Sequence, residues 1–391
     1  MLDYKNNKHY KTRKYKGYTL KVLVYSIFIM ILMFLGSVIF SITKSGYLAL
    51  HSHYIILPNH VTSYKEAISE LKEIVEEYAF IDKKININDV YWLIDGHYFD
   101  KHKGATNKLE VNNNINLLLK YNIHSKTLTD SRVHLINYLR SSSLIQKSYT
   151  LDFFRNNDSS NSQYAGIYSA LITTIYVIAI AMSIGLVLGF FGALYLEFFC
   201  TNKDSKLISF IEVNINNMVA IPSIIYGLFG VLIFQEFLHI PRGSALLGGL
   251  ILGVMIMPHL LIYSRIAIKS VPQDIINAAY GLGMSKLQVI IYSVIPSSIS
   301  GVLTGCILSV ARVLSETAPL VMIGMTAFIT NSALSIYSPA TTLSTQILLW
   351  ANMPTQGFVE KTSLAILVLI CLLVILNIIS GFIKYIVERG K

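Results

Sequence analysis

Two charged residues interrupt a long apolar stretch in the last third of the chain. Arg312 and Glu316 lie four residues apart within residues 299–318, which are otherwise apolar enough to cross a bilayer. A charged side chain at the bilayer centre costs at least about 2.5–3.5 kcal/mol on insertion scales. On a helix these two side chains share one face and can neutralise one another. The pattern indicates a functional site, or else a structural pair that holds this span to a neighbouring helix.

The polar, glycine-punctuated segment before this span, residues 271–296, has the pattern of two short helices. Pro272 suits the first turn of a helix, and Asp274 favours its positive end. Gly281 and Gly283 are expected to end the first helix. A second amphipathic helix is predicted to run to Pro296. Such a pair either docks into a partner or only connects two spans.

Long apolar stretches place these segments in a multi-pass membrane protein. The mean hydropathy of the 391-residue chain is +0.54 and only 14% of its residues are charged. Six spans are predicted, at residues 22–42, 167–191, 219–237, 244–263, 299–318 and 364–382. Seven of the 32 Lys and Arg residues lie in residues 1–21, a basic cytoplasmic tail, so nucleic acid is not a predicted partner. With the N-terminus inside, Arg265 and Lys269 also fall inside, and so does the C-terminus.

Residues 43–163, after the first span, are polar and predict a small α+β domain outside the cytoplasm. Residues 63–78 have helical periodicity, residues 91–94 and 115–119 are short apolar runs typical of strands, and residues 112–114 indicate a turn. The three cysteines lie in or beside apolar spans, so no disulfide supports this domain. His51, His53 and His60 have no cysteine or carboxylate cluster beside them, and no metal site is predicted.

The loop sequence N-A-A-Y-G-L-G, followed by a proline thirteen residues after Gly283, resembles the EAA loop of ATP-binding-cassette importer permeases. Ala278, Ala279, Gly283 and Pro296 fall on the motif's positions, and Asn277 stands where the motif has its glutamate. Gly281 lies within the same motif.

The charged span makes the resemblance more specific. A-R-V-L-S-E-T-A-P-L, residues 311–320, resembles the A-R-x-x-G-E-T-A-P-L signature of the PstA family of phosphate permeases, with Ser315 in place of the glycine. Residues 221–229 (IPSIIYGLF), 343–350 (LSTQILLW) and 357–362 (GFVEKT) also resemble segments of that family, in the same order. The resemblance covers residues 164–391.

This resemblance implies a type I importer permease core with five spans in residues 164–391, after the anchor at residues 22–42. It implies that the loop within residues 264–296 couples to a dimer of separate ATPase subunits, which bind ATP and Mg. It further implies a second, PstC-like permease, a periplasmic phosphate-binding protein, and a location among the lipids of the bacterial cytoplasmic membrane. The sequence has no G-x-x-x-x-G-K-[ST] phosphate cradle and is expected to be a transport subunit without catalytic residues or a cofactor of its own.

Within that family, Arg312 offers a planar fork of donors to a phosphate oxyanion. Glu316 neutralises the guanidinium when no substrate is present, and the Thr317 hydroxyl is a further donor. Two alternatives remain open: a permease for another oxyanion such as molybdate, and a phosphate-linked membrane sensor.

Overall fold

The computed structural model describes residues 8–57, 64–81, 90–93, 108–111, 115–116, 119–120, 130–200, 206–330 and 335–389. The structure is mainly helical. The helices are α1 Lys8–Ala49, α2 Tyr64–Ile81, α3 Val90–Leu93, α4 Asp130–Ser141, α5 Asp152–Arg155, α6 Tyr168–Leu194, α7 Lys206–Ala220, α8 Ser223–Gly230, α9 Ala245–Lys269, α10 Gln273–Gly281, α11 Lys286–Val289, α12 Ile295–Ser315, α13 Ala318–Met322, α14 Leu343–Ala351 and α15 Gln356–Arg389. The strands are β1 His51–Ile56, β2 Lys108–Glu110 and β3 Ile145–Tyr149. π-Helical turns extend α6 and α8 and join α11 to α12.

Five helices among the described residues are long and apolar enough to cross a membrane. They cover Val24–Ala49, Tyr168–Phe199, Ala245–Lys269, Lys286–Ser315 and Gln356–Val387. The first of them continues a helix that begins at Lys8, so much of the basic tail is helical. The second short helix predicted before Pro296 is continuous with the charged span, because the π-helical turn Ile290–Val294 joins α11 to α12 directly before Pro296.

The span predicted at residues 219–237 is not one straight helix. Helical segments Ile208–Ala220 and Ser223–Phe237 meet at an angle of 102°, and together they would make a sixth span. The break falls at Ile221 and Pro222, because a residue before proline is disfavoured in helical conformation. The Tyr226 hydroxyl donates to the Met218 carbonyl across the break at 2.8 Å, which fixes the bend.

The segment between the first two spans forms an α+β unit, which we define as residues 51–149. Its antiparallel sheet has the order β2-β1-β3, with His53 opposite Lys147 and Ile55 opposite Ile145. Helices α2 and α4 pack on the sheet through a core of buried aliphatic side chains that includes Leu71 and Leu139.

The helix predicted at residues 63–78 is confirmed as α2. The two predicted strands are wrong: Val90–Leu93 is a helical turn, and residues 115–116 and 119–120 are helical. A short apolar run cannot distinguish a strand from a buried helical turn, and the core contacts decide between them. The predicted turn at residues 112–114 lies outside the described residues.

Candidate functional site

Arg312 lies in the last turn of α12, and the helix ends three residues later at Ser315. Glu316 has extended backbone dihedrals (φ −78°, ψ 128°), and its N–H donates to the carbonyl of Arg312. The two side chains are therefore not on one continuous helix face as predicted, yet they still pair, with 3.7 Å between Arg312 Nε and Glu316 Oε1. The predicted span end at residue 318 is replaced by an interruption before α13.

Two of the segments that resemble the phosphate permease family, residues 221–229 and 343–350, lie close to the interruption at Glu316 and Thr317. The Ser344 hydroxyl of α14 donates to the Glu316 carbonyl at 3.2 Å. On the other side, α8 packs so closely on α13 that a Cβ added to Gly227 would lie 2.8 Å from the Pro319 Cα. Non-helical backbone at membrane depth is tolerated only where protein covers it or a cavity lines it. Three segments separated in sequence thus combine to hold this short unwound stretch.

The Arg312 guanidinium has a second partner that the sequence analysis missed. Arg312 Nη1 lies 2.5 Å from Nε2 of His259 on α9. Because arginine only donates, His259 Nε2 accepts, and the ring is neutral with its proton on Nδ1. A histidine inside the apolar stretch of α9 was a detectable signal, since ionisable residues at membrane depth are functional candidates.

One buried donor of Arg312 is unsatisfied. Its Nε atom is buried and has no hydrogen-bond partner among the described residues, since 3.7 Å to Glu316 is too long for a hydrogen bond. The side chain as a whole remains 39% exposed, against 18% for Glu316. A buried donor without an acceptor costs about 1–3 kcal/mol. Thr317, the next residue after Glu316, is half-buried and directly precedes α13.

The predicted coupling segment forms as expected up to its second helix. Helix α10 ends at Gly281, and Gly283 follows in the left-handed region at φ +82°, with its N–H donating to the Tyr280 carbonyl. Ala279 is buried, whereas Asn277 and Ala278 are exposed. The Asn277 side chain accepts a weak hydrogen bond from Gln273 at 3.3 Å, within α10 itself.

One face of the coupling segment presents apolar side chains to the outside. Ile275 is 43% exposed, Tyr280 43%, Leu282 79% and Leu287 60%. Ile276 and Ala279, on the other face, pack into a core with the ends of α6 and α9. An exposed apolar patch on an otherwise anchored helix pair is typical of a surface that binds another protein.

The charges next to this segment form a network rather than only orienting the chain. Arg265 on α9 donates through Nε to Glu197 at 2.7 Å and through Nη2 to Glu212 at 2.6 Å. Lys269 adds a contact of 3.3 Å to Glu197, whose side chain is only 6% exposed. Arg265 and Lys269, which are predicted to lie inside, thus tie the end of α6 and helix α7 to α9.

The other histidines singled out from the sequence do not gather around a metal. His51 and His53 lie on β1, and His60 falls outside the described residues. Within the described ranges no three His, Cys, Asp or Glu side chains lie close enough together to hold a metal ion.

The fold and site define a class. Several helices are long enough to cross a membrane; one of them ends at a charged segment, and another pair is broken at a proline. This is the architecture of a membrane transport protein. The chain belongs to the family of binding-protein-dependent transport system inner membrane components, whose sequence profile matches residues 185–391.

Curated relatives agree with this assignment. The chain is 32% identical over 239 residues to the probable ABC transporter permease protein YqgI of Bacillus subtilis, covering 58% of this chain and 78% of that protein. It is 31% identical over 232 residues to the phosphate transport system permease protein PstA homolog of Mycoplasma pneumoniae, covering 57% of this chain and 34% of that protein. The resemblance to the phosphate permease family is therefore confirmed.

Among solved structures, the chain is similar to a chain of the MetNI methionine ABC transporter in an inward-facing conformation. The TM-score is 0.44 with 15% identity, and the match covers 56% of this chain and 97% of that chain.

Proposed function

We propose that this chain is one membrane-spanning subunit of an ATP-driven phosphate importer. The single observation that carries the proposal is the Arg312 guanidinium: it lies at the interruption of a membrane helix, it is partly exposed, and its Nε atom has no hydrogen-bond partner among the described residues. Relatives named as phosphate transport permeases, such as the Mycoplasma pneumoniae protein, support phosphate as the substrate. The six spans of the proposal are the five long helices together with the pair broken at Pro222.

In the proposed mechanism the substrate competes with Glu316 for Arg312. Phosphate cannot enter hydrocarbon without a partner, and the guanidinium fork suits its oxygens. His259 holds Nη1 and so fixes the orientation of the fork, and the exposed part of the guanidinium is left to meet the anion. Thr317 adds a hydroxyl donor. When the anion leaves, Glu316 again neutralises Arg312, so the empty path does not contain an uncompensated charge.

Coupling to ATP is assigned to residues 271–296. A separate ATPase subunit would bind the apolar patch formed by Ile275, Tyr280, Leu282 and Leu287, which is exposed in this chain. Closure of two such ATPases moves α10 and α11, and α11 continues without a break into α12, which bears Arg312. Movement at the coupling segment is thus transmitted along one helix to the substrate path. A second permease subunit and an external phosphate-binding protein complete the proposed importer.

Uptake of radiolabelled phosphate tests the substrate role. Arg312→Gln removes the charge and is expected to abolish uptake while the ATPase and second permease still co-purify with the chain. Arg242→Gln is the matched control, because Arg242 is an exposed arginine that lies outside the described contacts of the path. Normal uptake by the Arg312→Gln variant would overturn the proposal. Competition by molybdate distinguishes a permease for that oxyanion from one for phosphate.

A second variant tests coupling separately. Leu282→Glu places a charge in the exposed apolar patch and is expected to release the ATPase during purification. The chain itself should remain folded, because the Leu282 side chain is 79% exposed and packs on little of the structure. Retention of a stoichiometric ATPase by this variant would contradict the role of the patch.

A further inference from the structure

A second site, unrelated to Arg312, lies where the α+β unit meets the first span. A cavity of about 290 Å³ opens there, and four of its seven lining residues carry basic side chains. The lining residues are Leu48, His53, Leu119, Lys120, Arg140, Ile145 and Lys147.

The basic side chains come from separate elements that the fold brings together. His53 on β1 pairs in register with Lys147 on β3, and Arg140 is in the last turn of α4. Lys120 follows the core residue Ile115 by five positions. These four basic side chains thus reach one cavity from β1, β3, α4 and the segment that contains Lys120. They are not a run of solvated charges along one helix face.

The acidic counterpart of this cluster satisfies only one of its cations. Glu360 at the start of α15 pairs with Lys120 at 2.8 Å, and both side chains are nearly buried, at 3% and 6% exposure. Arg140 and Lys147 are exposed and have no carboxylate partner among the described residues, although the Lys147 ammonium lies 5.7 Å from the centre of the Tyr47 ring. No described acidic residue lines the cavity. The site therefore keeps a net positive charge.

His53 is held in one orientation inside this cluster. Asn116, which is 4% exposed, accepts from the His53 backbone N–H at 3.2 Å and from its Nδ1 at 2.9 Å. Because an amide oxygen only accepts, Nδ1 carries a hydrogen, and Nε2 is the atom that gains or loses a proton. Burial lowers the pKa of His53, and the charges of Lys120, Lys147 and Arg140 lower it further. An anion near these groups would offset the repulsion among them.

We propose that this cavity binds a phosphate-type oxyanion through Arg140 and Lys147, with His53 as an additional donor once it is protonated. The volume is near the lower limit for small-molecule sites, which suits one phosphate group rather than a large ligand. Leu48 lies in the last turn of the span Val24–Ala49, so the cavity is at the level of lipid headgroups. The phosphate group can thus belong to free inorganic phosphate or to the headgroup of an anionic lipid.

The test uses the purified full-length chain carrying Arg312→Gln, so that the transport site does not contribute to binding and the result is independent of the proposed function. One arm measures equilibrium binding of radiolabelled inorganic phosphate. The other measures retention of phosphatidylglycerol, by native mass spectrometry, after purification from vesicles of phosphatidylcholine and phosphatidylglycerol. Binding in the first arm identifies free phosphate as the ligand, and retention in the second arm alone identifies a lipid headgroup.

Arg140→Gln combined with Lys147→Gln is expected to weaken the observed binding by about tenfold or more, because the double variant loses both exposed cations that would donate to the anion. Arg155→Gln is the matched control, because Arg155 is exposed on nearby α5 and does not line the cavity. Circular dichroism and the thermal midpoint verify that each variant is folded. The proposal is overturned if neither probe binds, or if the control variant loses as much binding as the double variant.

Discussion

Asp158 is a buried carboxyl group whose charge should cost this protein stability. It is 6% exposed, and it accepts hydrogen bonds from the indole Nε1 of Trp350 at 2.9 Å and from the Ser159 N–H at 2.8 Å. Burial raises the pKa of Asp158 from 3.8 to about 6, although these two donors oppose the shift. The folded state therefore binds this proton more tightly than the unfolded chain does, and stability is lost as the pH rises from 3.8 to about 6.

The magnitude follows from the difference between the folded and unfolded pKa values. With one pKa unit worth about 1.4 kcal/mol, Asp158 costs the fold about 3 kcal/mol near pH 7.5 and about 1.6 kcal/mol near pH 5. Asp158→Asn keeps an acceptor for Trp350 and Ser159 but has no charge. Its stability relative to the unchanged chain should therefore be higher near pH 7.5 than near pH 5, by about 1.4 kcal/mol.

The assay is denaturant unfolding in detergent at both pH values. Unfolding is monitored by tryptophan fluorescence, because Trp350 contacts the altered group. The comparison between pH values removes any constant effect of the amide, such as an imperfectly paired NH₂ group. Asp152→Asn, on the neighbouring helix α5, controls for general loss of a carboxylate. If the stability difference between the Asp158→Asn variant and the unchanged chain is the same at both pH values, the burial argument is refuted.

Three further predictions concern backbone conformation, ion pairing and packing. Gly283→Ala should destabilise the coupling segment by about 1–2 kcal/mol, because Gly283 has a left-handed conformation. Gly281→Ala should be neutral or stabilising, because the added methyl group would point into open space. Thermal midpoints and phosphate uptake of the two variants are compared. Arg265→Met should cost about 1.5–3 kcal/mol in denaturant unfolding, because it removes the hydrogen bond that Arg265 Nε donates to the buried Glu197 carboxylate. Gly249→Ala should cost about 1–3 kcal/mol in the same assay, because its Cβ would lie 2.6 Å from Ile180 Cβ.

Each of these predictions has a clear contrary result. Equal thermal midpoints for the two loop variants would show that the conformation at Gly283 is not required. If Arg265→Met costs no more stability than Glu212→Gln, which alters the 40%-exposed partner of Arg265, the hydrogen bond to the buried Glu197 contributes little. An unchanged unfolding free energy for the Gly249→Ala variant would show that α6 and α9 can separate at little cost.

Local patterns in the sequence were sufficient to predict the apolar helices, the end of α10 at its glycines and helix α2. They failed where distant parts of the chain decide the outcome. The end of α12 at Ser315 depends on α8, α13 and α14, which hold the unwound residues, and helical spacing alone predicts a continuous span. His259 is 53 positions from Arg312, and Glu197 is 68 positions from Arg265, so neither pairing has a local signal.

The contact between α6 and α9 restricts where this protein can change shape. Glycines on each helix face the other: a Cβ on Gly189 would lie 2.8 Å from Leu260 Cβ, and one on Gly253 would lie 3.1 Å from the Ala181 carbonyl oxygen. With the two helices this close, sliding or rotating one against the other would require many tight contacts to be rebuilt at once. We therefore expect these two helices to stay together as one unit when the subunit changes shape.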